Sequence, residues 1–293
     1  MLSVLLPVFN ERESIETVVR SLHEILTREQ MEFELVVIND GSTDGTGDMV
    51  PALTLSNVHV ITHPRNTGYG ASLKTGIRRS KGDVIAMMDS DGTYPVESLP
   101  LLLKTLREKE VDMVVGARTK KGVKIPLLRK PAKWIVNTLA NSLTGRKIPD
   151  LNSGMRVFKR ELAERFMHLY PQRFSFTITI TLAALTNDYL VEYVPIDYFK
   201  RAGKSTLSSG MNGIKNFGQF LGLIIRIVTY FRPLKFFMWP SMLLMLGGIM
   251  TIGTTLYYDS NISDSGILLL MTGLQIGLFG LLADVSVRGR NAR

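Results

Sequence analysis

From Phe236 to Tyr258 the chain runs for 23 residues without a charged side chain. As a helix such a run is about 35 Å long at ~1.5 Å per residue, enough to cross the hydrocarbon layer of a bilayer with some tilt. Irregular backbone is excluded there, because nothing in hydrocarbon replaces the water that its N–H and C=O groups lose. A second run, Ile267 to Val287, carries one acid, Asp284, near its end where water reaches it. The link between the runs holds Asp259 and Asp264 and no Lys or Arg. Arg232 and Lys235 precede the first run, and Arg288, Arg290 and Arg293 follow the second. This bias predicts a two-span membrane hairpin with both termini, and everything before the hairpin, in the cytoplasm. Asn261-Ile-Ser263 has the form of a glycosylation sequon but lies too near the membrane to serve as one.

Before the hairpin, apolar residues recur from Ile214 at helical spacing, interrupted by Lys215, Gln219 and Arg226. An arginine at mid-span costs roughly 2.5 to 3.5 kcal/mol on insertion scales, so an amphipathic helix lying in the interface is expected. The chain divides accordingly into a cytoplasmic domain over 1–207, a juxtamembrane segment over 208–235, and the hairpin with its basic tail over 236–293.

A hydrophobic share of 45% is high for a soluble protein; the excess lies in residues 236–287, and the first two hundred residues look like an ordinary α/β domain. Cysteine is absent, which excludes a disulfide framework and a thiolate metal site. The net charge of +9 gathers between Arg118 and Lys133 and between Lys200 and Lys235, beside the apolar end. That placement points to a membrane surface and phosphate-bearing ligands and away from nucleic acid. The start, Met1-Leu-Ser-Val-Leu-Leu-Pro-Val-Phe-Asn-Glu11, lacks a basic region and meets acids early, so it is not a signal peptide.

Within 1–207, apolar runs alternate with helical patterns. Leu2 to Val8, Leu35 to Asn39, Val58 to Thr62, Val84 to Met88, Met113 to Ala117 and Val191 to Ile196 read as strands. Ile15, Val18, Val19, Leu22, Ile25 and Leu26 share one helical face, and Asn10 with Glu13 reads as a capping box before it. The rhythm predicts an α/β fold: a mostly parallel, doubly wound sheet with helices on both faces and right-handed crossovers. Val84-Ile-Ala-Met-Met88 ends abruptly in Asp89-Ser-Asp91. In open α/β sheets ligands sit outside the carboxyl ends of strands, and two acids one residue apart can share a hard divalent cation with diphosphate oxygens. Asn10-Glu11 and Asp40 lie at the same sheet edge. Carboxylates suit ribose hydroxyls or a base edge, and suit phosphate only through a cation, so the edge asks for a nucleoside diphosphate with a metal. Asn66-Thr-Gly-Tyr-Gly70 is not a dinucleotide fingerprint, since it lacks the third glycine and follows the third strand.

Pro7-Val-Phe-Asn-Glu11, Asn39-Asp-Gly-Ser-Thr-Asp44, Asn66-Thr-Gly-Tyr-Gly70 and Asp89-Ser-Asp91, in that order, resemble the successive motifs of the family-two inverting glycosyltransferases of GT-A fold. Within these the chain resembles the polyprenol-phosphate sugar transferases, best known from dolichol-phosphate mannose synthase. The resemblance covers roughly residues 1–207. It implies that Pro7, Val8, Asn10, Glu11, Asp40, Ser42, Asp89, Ser90 and Asp91 hold the nucleotide, with Asp89 and Asp91 on a Mg²⁺ or Mn²⁺ ion. Asn39 stands where an acid often precedes Asp40, and Thr93 where many relatives have a glutamine near the metal. The basic loop from Arg118 is implied to fold over the site, with Arg118, Arg129 and Lys133 on the acceptor phosphate. The guanidinium fork matches phosphate independently of any resemblance. Asp150-Leu-Asn-Ser-Gly-Met-Arg156 matches the family's Asp-x-x-Ser-Gly segment, which brings in Ser153, or is a tight turn entering a strand at Met155 to Phe158. Basic residues around a glycine in Tyr198-Phe-Lys-Arg-Ala-Gly-Lys-Ser205 suit a leaving diphosphate, with Arg201 foremost and Lys204 and Ser205 in support.

The acceptor follows partly from what is missing. A sugar hydroxyl needs a positioned base, and Gln172-Arg-Phe-Ser-Phe-Thr-Ile-Thr-Ile-Thr181 offers no acid, though Asp150 remains a candidate. A phosphate monoester, with a second pKa near ~6, attacks without a base. The expected reaction is metal-dependent transfer of a hexose, mannose from GDP-mannose being favoured, to a polyprenyl or dolichyl phosphate. UDP-glucose with undecaprenyl or another polyprenyl phosphate is the alternative. Asp91, Asp89 and Arg201 are the expected catalytic residues, and the transmembrane helices offer a surface for homo-oligomers. A nucleotidyltransferase would need a glycine-rich basic loop after the first strand, which Pro7-Val-Phe-Asn-Glu11 is not. An inactive membrane-tethered nucleotide-binding scaffold is the non-enzymatic reading, opposed by the intact Asp40, Asp89, Asp91 and Arg201.

Overall fold

A computed structural model of the chain describes residues 1–50, 54–120, 137–138, 140–142, 144–173, 175–199, 230 and 233–291. The juxtamembrane segment 208–235, apart from Tyr230 and its last three residues, lies outside them, as do Arg129, Lys133, Arg201, Lys204 and Ser205. The chain forms two compact units, Met1–Asn212 and Gly213–Arg293.

The first unit is built on seven strands: β1 (Leu2–Val8), β2 (Phe33–Asn39), β3 (Val58–Thr62), β4 (Val84–Met87), β5 (Met113–Ala117), β6 (Arg156–Lys159) and β7 (Val191–Pro195). Their order in the sheet is β3-β2-β1-β4-β6-β5-β7. Neighbours pair in parallel except β6, which runs antiparallel between β4 and β5. The expected mostly parallel α/β sheet is therefore present, and the strand after Asp150 enters it reversed.

Both faces of the sheet are covered, which is why β1 and β2 are apolar with little alternation. Val4, Leu6 and Val8 join one core with α1 (Ile15–Arg28) and α4 (Leu99–Glu108). Leu5 and Ile38 point to the other face and meet α3 (Tyr69–Arg79) at Gly76. Each of these helices turns its apolar stripe to the sheet. Burying one such leucine or isoleucine contributes about 1.5 to 3 kcal/mol. Further helices among the described residues of this unit are α2 (Thr46–Met49), α5 (Arg160–Arg165) and α6 (Phe176–Thr186). In α6 Phe176 to Leu185 are all buried. It tolerates its threonines because Thr179 and Thr181 donate to the carbonyls of Ser175 and Thr177 one turn back.

The capping box does not form. Helix α1 starts later, at Ile15, and its cap residue Ser14 makes no side-chain cap bond. Instead Asn10 takes a left-handed backbone, φ 56°, and its side chain accepts from the Thr43 N–H at 2.8 Å. A bond across to the next strand's loop competes successfully with a local one.

The second unit is a helical hairpin of α7 (Pro233–Asp259) and α8 (Asp264–Asn291), each somewhat longer than its apolar run. Both are long and apolar enough to cross a membrane, over Pro233–Tyr258 and Asp264–Val287.

Candidate active site

Strand β1 lies between β2 and β4, so chain leaving its carboxyl end faces the loops after both neighbours. The loop after β1 is laced to the loop after β2. The Asn10 N–H donates to Ser42 Oγ at 3.0 Å, the Glu11 N–H to Thr46 Oγ1 at 3.2 Å and the Arg12 N–H to Asp44 Oδ2 at 3.3 Å. On the other side Ser90 Oγ donates to the Pro7 carbonyl at 2.9 Å, and Ser14 Oγ to the Ser90 carbonyl at 2.8 Å. These bonds bring Pro7, Val8, Asn10, Glu11, Asp40, Ser42, Asp89, Ser90 and Asp91 to one edge. Asn10 is exposed and Glu11, Ser42, Asp89 and Asp91 are half-buried, whereas Pro7, Val8, Asp40 and Ser90 are buried behind them.

Asp40 organises the third loop. Its Oδ1 accepts from the Thr67 hydroxyl at 2.6 Å and the Thr67 N–H at 2.9 Å, with His63 Nδ1 at 2.8 Å, and its Oδ2 accepts from the Gly68 N–H at 2.7 Å. Burial alone would raise this carboxyl, but the bonds from Thr67, His63 and Gly68 outweigh it and hold the group below the usual carboxylate range. Asp40 thus fixes the Asn66–Gly70 loop with most of its acceptor capacity. Gly70 is required there: a Cβ would stand 2.1 Å from the Pro171 carbonyl oxygen, where the backbones meet through Gly70 N–H to Arg173 O, 3.0 Å.

That loop delivers Tyr69, whose hydroxyl donates to Asp89 Oδ1 at 2.8 Å. Burial and the negative Asp89 beside it push this phenol well above the ordinary tyrosine value, so it stays a donor across the physiological range. Across from it, a Cβ on Gly154 would stand 2.5 Å from Asp89 Oδ2, so only glycine leaves the carboxylate its place. The Gly154 N–H is in turn held by Tyr94 Oη at 2.6 Å. Thr93 fixes Asp91: its N–H and hydroxyl both donate to Asp91 Oδ1, at 3.1 and 2.6 Å. Thr93 thus supplies a hydroxyl that orients the acid.

Two half-exposed carboxylates, each held by a hydroxyl, are a hard-oxygen donor set of the kind magnesium and manganese take. Among the described residues no group of three His, Cys, Asp or Glu could hold an ion unaided. Asp89 and Asp91 would therefore hold such a cation only with ligand oxygens completing its shell.

Arg118 leaves the end of β5 and pairs with Asp150 in a two-pronged bridge, Nε to Oδ2 at 2.8 Å and Nη2 to Oδ1 at 2.9 Å. Its ring-stacked position over Tyr198, 5.1 Å from the centroid, holds the guanidinium further. Burial would raise Asp150, and the Arg118 bonds and charge more than offset it, lowering the group. A carboxylate so held is a poor general base, against the alternative left open by the sequence. Ser153 is fully buried and donates to the Gly116 carbonyl at 2.5 Å, so in this structure it ties the turn to β5. Behind it the buried Arg156 reaches the Ser153 carbonyl, the Thr177 carbonyl and the Thr181 hydroxyl, pinning the same turn to α6.

Sequence reasoning did not give roles to Tyr69, Thr67, His63, Tyr94 or Gly154. Tyr69 and Thr67 stood inside a quoted motif, and the signal was a tyrosine between two glycines in a loop otherwise built for tight turns.

Residues 3–167 match glycosyl transferase family 2, and residues 232–285 match the GtrB C-terminal hairpin. The low-salt glycan biosynthesis hexosyltransferase Agl6 of Haloferax volcanii is 29% identical, over 98% of this chain and 70% of its own length. The bactoprenol glucosyl transferase of Shigella phage SfX is 30% identical over 86% of this chain and 90% of its own. The polyprenol monophosphomannose synthase of Mycolicibacterium smegmatis is 30% identical over 71% and 81%. Among solved structures, glucosyl-3-phosphoglycerate synthase from Mycobacterium tuberculosis superposes with a TM-score of 0.60 at 19% identity, covering 78% of this chain and 77% of that one, which makes the fold GT-A. With its sheet-edge carboxylates, a family match over more than half its length and relatives that span it nearly end to end, the chain belongs to glycosyl transferase family 2.

Proposed function

We propose that the protein transfers a hexose from a nucleoside-diphosphate sugar to the phosphate of a polyprenyl lipid at the membrane surface, with inversion at the anomeric carbon. The observation that carries this reading is the convergence of Asp40, Asp89 and Asp91 on one sheet edge in a chain that also has a membrane-length hairpin. Relatives named for bactoprenol and for polyprenol support the acceptor. The donor is placed first as UDP-glucose, with GDP-mannose second. The glucosyl transferase likeness extends over 86% of the chain, the mannose synthase likeness over 71%.

Pro7, Val8, Asn10, Glu11, Asp40, Ser42 and Ser90 shape the nucleoside end. Asp89 and Asp91 would hold Mg²⁺ or Mn²⁺, which when bound would supply positive charge to a diphosphate leaving group. Tyr69 and Thr93 keep those two carboxylates oriented before any ligand arrives, so no reorganisation is needed during the reaction. Arg118, Arg129 and Lys133 are assigned to the acceptor phosphate, and Arg201, Lys204 and Ser205 to the diphosphate, on the charge and donor chemistry of their side chains, while Ser153 ties its own turn to β5. An oxygen of the lipid phosphate forms the new bond to the anomeric carbon as the carbon–oxygen bond to the diphosphate breaks. The nucleoside diphosphate leaves with the electron pair, and no proton has to be removed. The distribution of Lys and Arg around the spans supports a cytoplasmic catalytic domain and cytoplasmic termini.

The test offers membranes bearing the protein polyprenyl phosphate with either radiolabelled UDP-glucose or radiolabelled GDP-mannose. Label entering the lipid phase from UDP-glucose alone is expected, and label from GDP-mannose alone reassigns the donor.

A further inference from the structure

The hairpin closes through one face of α8. A Cβ on Gly266, Gly273 or Gly280 would stand 2.6 to 2.7 Å from Ile252, Met245 or Phe237 of α7, and Ser241 donates to the Gly273 carbonyl at 2.7 Å. At about 100° per residue, Gln275 lies on the opposite side of α8 from these glycines. It is exposed, it falls in the middle of the Asp264–Val287 span, and among the described residues its amide has no hydrogen-bond partner. Leu268, Met271, Leu278, Leu282 and Val285 are exposed on the same side. With Gln275 between them they follow one another in alternating steps of three and four residues.

Steps of three and four make a straight seam for a second helix, and a lone polar residue at a seam position fixes register and the number of strands. An amide facing lipid leaves two donors and an acceptor unmet, and within membranes such groups act as interhelical glue. We infer that α8 pairs with α8 of a second copy of this chain about a two-fold axis along the membrane normal, with the two Gln275 amides hydrogen-bonded to each other at its centre. An amide carries donor and acceptor together, so one residue on the axis satisfies both copies. An isoprenoid tail or bulk lipid has no group to offer it. The inference rests on the hairpin lying in a bilayer and is independent of which sugar is transferred.

The chain has no cysteine, so single-cysteine variants of the full protein report contacts without background. In membranes treated with a mild oxidant, Leu268→Cys, Met271→Cys, Gln275→Cys, Leu278→Cys and Leu282→Cys give covalent dimers, and the exposed off-seam control Leu281→Cys does not. In mild detergent, Gln275→Leu weakens the association measured by light scattering about tenfold, the size expected of one interhelical polar pair, and Gln275→Asn retains it. Cross-linking at Leu281→Cys equal to that on the seam, or a single-chain mass for the wild-type protein, overturns the inference.

Discussion

The hydroxyl of Tyr69 holds Asp89 from one side at 2.8 Å while the bare backbone of Gly154 closes the other. A carboxylate placed this way is oriented before any ligand reaches the sheet edge. A hydrogen bond to a charged group is worth about 1.5 to 3 kcal/mol, roughly 10- to 100-fold in rate if it is used in the transition state. Tyr69→Phe is therefore expected to lower turnover within that range and to raise the divalent-cation concentration needed for half activity. Cation titrations of the transfer rate check this, and an unchanged titration would remove Tyr69 from the site's support.

Gly154→Ala puts a methyl 2.5 Å from Asp89 Oδ2 and cannot be accommodated without moving that carboxylate. The expected outcome is loss of most activity with a smaller effect on thermal unfolding. Comparing transfer rate with Tm in the same preparation separates the two, and full activity would show that Asp89 can relocate.

Asp40 is expected to shape the acid limit of stability. Its pKa in the folded protein lies below the unfolded value, so its contribution is fully present above about pH 4 and drains away as pH falls through the folded pKa. Asp40→Asn turns an N–H donor toward the Gly68 or Thr67 N–H and costs about 1 to 3 kcal/mol at neutral pH. The variant then loses less on acidification than the wild type. Unfolding followed by intrinsic fluorescence from pH 7 to pH 3 measures both, and parallel acid limbs would contradict the assignment.

The Arg118–Asp150 bridge is buried enough that removing either partner strands the other. Arg118→Met and Asp150→Asn are each expected to cost about 3 to 5 kcal/mol, and the double variant clearly less than the sum. Urea unfolding of the three variants in detergent gives the coupling directly. Strict additivity would mean the bridge contributes nothing.

What could be read in advance follows from where the information lies along the chain. Val84 to Met88 announced a buried strand because five apolar residues in a row fit only a sheet covered on both faces, and Asp89-Ser-Asp91 inherited its position from that strand's end. The hairpin was legible because hydrocarbon permits no other backbone. The direction of β6 was not, since apolar content records burial and not polarity of the strand. Asn10 looked like a helix cap because its competitor, the Thr43 N–H, lies on another loop. The hold of Tyr69, Gly154 and Thr67 on Asp89 and Asp40 joins distant segments, and no local pattern encodes it. Arg129, Lys133, Arg201, Lys204 and Ser205 rest on sequence alone.

The central claim is sugar transfer to a lipid phosphate at the Asp89–Asp91 edge. Membranes carrying wild-type protein or Asp91→Asn are given labelled donor and polyprenyl phosphate, with Mg²⁺ or Mn²⁺ and with a chelator, and then extracted with organic solvent. Label is expected in the lipid phase for the wild type with cation, and none with chelator or in a folded Asp91→Asn protein. Donor binding without any labelled lipid, or full transfer by Asp91→Asn, would contradict that claim.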